Sequence, residues 1–98
     1  MIRDAVAVAP HMYKIITEND RVRVLDVRSV PGVTAEMHSH PAQVAIAIAD
    51  SQFTFTTPDG QTMKAALKAG QAMYLPPIEH ATEITGTAES HMILVELK

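Results

Sequence analysis

The sequence predicts an all-β domain, a sandwich or barrel of about eight or nine short strands, and three observations carry that prediction. Segments rich in β-branched and aliphatic residues recur, with turn residues between them about every 8–12 positions. No stretch shows apolar residues at the spacing of an amphipathic helix. The chain has 98 residues, enough for one modest core and one domain.

Composition narrows the class. Residues that are apolar make up 47% of the chain, yet the aromatic ones are only Tyr13, Phe53, Phe55 and Tyr74. The core must therefore be aliphatic, with six methionines available to fill irregular gaps or line an adaptable pocket. The net charge of −3 and the absence of a basic run argue against nucleic acid. There is no cysteine, which excludes a disulfide framework and a thiolate metal site. The apolar run at the N-terminus is bounded by Asp4 and Pro10 and is too short for a secretory segment. No segment approaches membrane-spanning length. A cytoplasmic protein without a membrane partner is the expectation.

The elements follow in order. Residues 1–11, with alternating alanine and valine, read as an N-terminal arm that could pair at a sheet edge, reach a second subunit or stay loose. Residues 12–98 read as the barrel domain. Met12 to Thr17 is a short strand, and Glu18 to Arg21 a polar turn. Val22 to Val30 alternates with one break in phase, and valine is its commonest residue. Pro31-Gly32 turns the chain into the run that ends at His40. From Val44 to Ala49, valine and isoleucine share one face and alanine the other, so both faces should be covered. Gln52 to Thr57 is a strand, and Pro58-Asp59-Gly60-Gln61 is a hairpin turn in which proline presets φ and glycine accepts a positive one. Thr62 to Leu67, Ala72 to Leu75, Ile78 to Thr85 and Ser90 to Leu97 complete the set.

The chemistry sits in Pro31 to Pro41. His38 and His40 are two apart, so on a strand both imidazoles share one face, which is how a strand supplies half of a metal site. Two polar residues flanking a serine on an exposed strand is the plainer alternative. His80 supplies a third imidazole about 40 residues later.

These residues resemble the small single-domain cupins. Gly32, five residues, His38, Ser39 and His40 reproduce the first half of that family's first motif, G-x5-H-x-H-x3,4-E-x6-G. Gly70, five residues and Pro76 open the second, G-x5-P-x-G-x2-H-x3-N, with His80 one position early. The resemblance spans residues 12–97. It implies a double-stranded β-helix, that is, a jelly-roll or cupin barrel in a single domain, and a metal set of His38, His40 and His80. The family's glutamate should fall at 44 or 45, where Val44 and Ala45 stand. Ile78 replaces the second-motif glycine, and Glu83 or Ile84 stands for the asparagine. The nearest oxygen donor is Gln43, which strict strand alternation turns to the opposite face and which reads as a surface residue.

Three imidazoles can hold Zn, Fe, Ni, Cu or Mn, and the sequence does not choose among them, nor between a metal and a metal-free pocket. Two functions compete. One is a metal-dependent enzyme acting on a small molecule, with oxygenase or isomerase-type chemistry implied by the resemblance. The other is a non-catalytic module that binds or senses a small molecule. Sheet edges need covering, so a homodimer is expected. Among the remaining candidates, Glu36 is in phase with the histidine pair and either lies near the pocket mouth or faces solvent. His91 falls in phase with Ile93, Val95 and Leu97 and reads as a core or subunit-contact residue that would pair near Ile84. One of Met73 and Tyr74 should line the pocket, and Thr82 follows His80 in phase. His11 reads as solvated.

Overall fold

The computed structural model describes residues 3–98 and places nine strands in two antiparallel sheets that face one another. Met1 and Ile2, the first two residues of the expected arm, lie outside the described residues. The strands are β1 (Tyr13–Glu18), β2 (Val22–Ser29), β3 (Thr34–His40), β4 (Gln43–Ala47), β5 (Ser51–Thr56), β6 (Thr62–Leu67), β7 (Ala72–Leu75), β8 (Ile78–Ile84) and β9 (Ser90–Leu97). One sheet runs β1-β2-β9-β4-β7 and the other β3-β8-β5-β6. Every expected strand is present. The hairpin between β5 and β6 closes on Gly60, whose φ of 87° is the left-handed conformation that glycine accepts without a Cβ clash.

The core lies between the sheets, on alternate residues of each strand. Leu25 and Val27 of β2, Ala45 and Ala47 of β4, Met92 and Leu94 of β9, and Phe53 and Ile84 of the facing sheet are all buried. Each large aliphatic side chain removed from water in this way contributes about 1.5–3 kcal/mol. The alanines of β4 point inward, as their small size allows. The Val44 and Ile46 face is only half-buried and Ile48 is exposed, so within the chain that strand is covered on one side and not on both.

Three features position the site. First, β3 ends at His40 in one sheet and β4 begins at Gln43 in the other, so Pro41-Ala42 carries the chain around a corner. Strand alternation does not continue across that corner, and Gln43 is buried and faces the core instead of the surface. Second, β3 slips register between Ala35 and His38. A bulge of this kind inserts an unpaired residue and resets the phase. Glu36 is consequently exposed, out of phase with the buried His38 and His40. Third, β9 pairs with β2 and β4 and not with β8. His91 therefore lies opposite Arg28, not near Ile84. It sits on the outer face of its sheet, with its ring bonded to Asp26 at 2.6 Å, while Ser90, Met92, Leu94 and Glu96 face inward.

The segment before β1 folds back on its own barrel. A single helical turn, α1 (Ala5–Val8), is capped by Asp4, whose side chain accepts from the Val6 amide. Ala5 and Ala9 are fully buried, and α1 packs on β3 and β1, the neighbouring edges of the two sheets. Asp4 also bridges Ser39 beside the histidines. No helix among the described residues is long and apolar enough to cross a membrane.

Candidate metal centre

His38, His40 and His80 come together. His38 and His80 are direct cross-strand partners on β3 and β8, and His40 is two residues along the same face. All three are buried, and their ligand atoms lie within 4.8 Å of one another. Imidazole nitrogens sharing an ion at about 2.0–2.1 Å stand roughly 3–3.5 Å apart, so rotamer adjustments of about an ångström draw this set together. The ring centroids are 4.8 to 5.3 Å apart, each pair edge to face.

Hydrogen bonds settle which nitrogens face inward. The carbonyl of Glu36 and the carboxylate of Glu96 can only accept. His38 Nδ1–H therefore donates to Glu36 O at 2.7 Å, and His40 Nδ1–H donates to Glu96 Oε2 at 2.8 Å. That leaves the Nε2 lone pairs of both rings as ligand atoms. The Tyr13 hydroxyl, 3.1 Å from His38 Nε2, donates to it. Neither nitrogen of His80 has a partner, and Gln43 Oε1 and Thr82 Oγ1 are likewise buried without one. Buried polar atoms are rarely left unpaired, so four in one place mark a site built for something that bonds to them. The donor set fits a divalent ion: three imidazoles, with an amide oxygen on the neighbouring strand at the corner where the carboxylate is missing.

Burial also fixes the protonation state. It drives the His38 imidazolium down to about 4, and the His40 charge adds to the effect against the pull of the Glu36 carbonyl. It drives His80 down to about 3, with His38 and His40 contributing. Both rings are neutral at physiological pH, the form that binds metal. His80 is further held by Phe55, whose ring stacks on it at 4.4 Å and 3°. Burial raises the Tyr13 phenol to about 12, so it stays a hydrogen-bond donor.

Behind His40 stands a row of charges. Glu96, only 1% exposed, bonds His40 on one side and the Arg23 Nε at 2.7 Å on the other. Arg23 in turn forks onto Asp4 at 2.6 and 3.1 Å. Burial pushes the Asp4 carboxyl up, but the Arg23 hydrogen bond and charge outweigh it and hold the group below its ordinary value. The row links the helix-capping residue before β1 to a histidine of the site.

Sequence reasoning missed Glu96, Arg23, Tyr13 and Phe55. Glu96 carried a signal: it is the one acidic residue in the apolar run Ile93 to Leu97, in phase with Met92 and Leu94. The remaining candidates sort cleanly. Met73 lines the pocket and Tyr74 faces outward, and Thr82 lines the pocket as its phase suggested. His11 is exposed and bonded to Thr34 O.

His40 and His80 line a cavity of about 270 Å³ between the sheets, with His38 behind them. Its other walls are almost entirely apolar, from Met12 and Val27 to Phe53, Leu75 and Leu94. No carboxylate lines it among the described residues.

The sequence matches no family model, and no curated protein matches it. Solved structures do match. A cupin domain from Bordetella pertussis Tohama I superposes with a TM-score of 0.78 at 23% identity, covering 100% of this chain and 97% of that one. A double-stranded β-helix domain protein from Klebsiella pneumoniae gives 0.67 at 18% identity, covering 88% and 75%. A structure of Fe(II)-HppE with the alternative substrate (S)-1-HPP gives 0.63 at 14% identity, covering 86% of this chain and 48% of that one. These likenesses show the fold.

Proposed function

Because the chain has the cupin fold, a double-stranded β-helix in one all-β domain, we propose that it is a metal-dependent enzyme in which His38, His40 and His80 hold one divalent transition metal and a small molecule reacts in the adjoining cavity. Zn, Fe, Ni, Cu and Mn all suit imidazole, one solved neighbour is named as an Fe(II) protein, and the reaction is of oxygenase or isomerase type. The observation that carries the proposal is the convergence of three buried imidazoles, two with their Nδ1 atoms tied back and the third unpaired, beside a cavity that His40 and His80 line. Gln43 offers an amide oxygen where Val44 and Ala45 leave the family's carboxylate out. When bound, the ion supplies Lewis acidity and, if redox-active, reactivity toward dioxygen. The chain's own residues hold His38 and His80 neutral by burial, aim the Nε2 atoms of His38 and His40, and keep bulk water out with apolar walls.

Metal analysis of protein from metal-replete growth tests this. About one transition-metal ion per chain is expected, falling below a tenth in His80→Ala, with oxygen uptake following the metal. Wild-type protein taking up far less than one ion per chain overturns the reading.

A second reading is supported by the lining. Among the described residues no carboxylate lines the cavity, which fits a module that binds or senses its small molecule at the same site without turnover. Saturable binding without product distinguishes it. A homodimer formed through the half-covered outer face of β4 and β9 is part of the same proposal.

A further inference from the structure

The cavity has one polar end and one apolar body. The polar lining includes buried atoms of His80, Gln43 and Thr82 that have no hydrogen-bond partner. The body is walled by methionine, leucine, isoleucine, valine, alanine and phenylalanine, with Lys64 of β6 its one lysine or arginine among the described residues. Away from Lys64, a polyol or a dicarboxylic acid would leave its second polar group among those apolar side chains without a partner, at a cost of about 1–3 kcal/mol for each such group. The volume, about 270 Å³, lies just below the range of sites for drug-sized ligands.

The way in is also set by the fold. β6 and β7 are edge strands of different sheets and form no ladder with each other. Their pocket-lining residues Met63 and Met73 are 48% and 41% exposed, the most open methionines of the cavity. The opposite pair of edges, β1 and β3, is covered by α1. Unbranched thioether side chains at an unpaired seam can move aside without breaking backbone hydrogen bonds.

We infer that the site takes a small, monofunctional apolar molecule, an alkyl or aryl body with a single oxygen-bearing end group, which enters between β6 and β7 past Met63 and Met73 and places that group at His80, Gln43 and Thr82. The end-group half rests on the metal reading above. The apolar half rests on the cavity alone.

The test is calorimetric titration of metal-loaded and metal-stripped protein with straight-chain carboxylates from acetate to decanoate and the matching alcohols, against malate, citrate and glycerol. Affinity should tighten about threefold to fourfold per methylene until the cavity is full, and then stop improving. The polar set should bind at least tenfold more weakly than size-matched apolar members. Metal loading should tighten the carboxylates more than the alcohols. Ala65→Leu, which adds bulk opposite Phe53, should shorten the optimal chain by two or three carbons, and Met73→Ala, an exposed site that folding tolerates, should lengthen it. Equal or tighter binding of the polar set, no dependence on chain length, or no binding of any apolar member overturns the inference. Chain-length-dependent binding to protein that takes up no metal leaves the apolar pocket standing while the metal reading falls. One bound ion with malate or citrate preferred does the reverse.

Discussion

Tyr13 and His38 share a hydrogen bond that an incoming ion has to break. The Tyr13 hydroxyl is 3.1 Å from His38 Nε2, the only lone pair that His38 offers to the pocket once its Nδ1–H is committed to Glu36 O. A buried hydrogen bond of this kind contributes about 1 kcal/mol net. Tyr13→Phe keeps the ring and its edge-to-face packing on His38 and His40, at 5.1 and 5.3 Å, and removes only the competitor. The variant should therefore bind Zn or Co about fivefold more tightly, read by competition with a chromophoric chelator. An unchanged or weaker affinity would show that the hydroxyl aids the bound state instead. At this scale the sequence was partly legible. The spacing of His38 and His40 placed both rings on one face, and the His80 position followed from motif spacing. The donor directions did not, because they depend on a backbone carbonyl and on strands distant in sequence.

At the scale of elements, β9 matters to the site although none of its residues belongs to a sequence motif. It brings Glu96 between His40 and Arg23, and Arg23 brings in Asp4 from before β1. A carboxylate behind a ligating histidine fixes the ring's orientation and raises its basicity, and losing it typically costs 10–100-fold in metal affinity. Glu96→Gln should weaken metal binding by about that factor. It should also destabilise the metal-free fold by about 3–5 kcal/mol, since Arg23 keeps only the Asp4 half of its pairing. Chemical denaturation with and without metal separates the two effects, and a variant as stable and as metal-avid as the wild type would remove Glu96 from the site. The strands themselves were readable from alternation and turn residues. Their partners were not: the expected approach of His91 to Ile84 failed because β8 and β9 belong to different sheets. Two departures from strict alternation, the β3 bulge and the Pro41-Ala42 corner, turned Glu36 out and Gln43 in. Neither has a signature that period-two reading can detect.

For the molecule as a whole, the two sheets leave two seams and one uncovered face that is apolar at its centre. The seam between β1 and β3 is covered by α1, and the seam between β6 and β7 gives onto the cavity. That apolar face is the outside of the five-stranded sheet. Val44, Ile46, Ile93 and Val95 lie half-buried along its centre, with Ile48, Tyr74 and Leu97 exposed at 51%, 61% and 40% around them. Polar residues lie toward its margins, including the hydrogen-bonded His91 and Asp26 and the ion pair of Lys98 with Glu18. An apolar centre with a polar rim is the arrangement of a protein interface. Because the patch lies on two central strands and not on an edge, a second copy can meet it face to face, sheet on sheet, as in a sandwich. Light scattering after size exclusion at micromolar concentration should give twice the chain mass. Ile46→Asp places a charge at the centre of the patch, where a half-buried outward side chain leaves the inner core untouched, and should return the protein to a monomer with its strand content intact. A wild-type monomer at that concentration, or a dimer that Ile46→Asp does not weaken, would rule out this face. The cavity opens at a separate seam, so monomeric Ile46→Asp should still take up one metal ion per chain, which makes metal content the control that separates loss of the interface from loss of the fold.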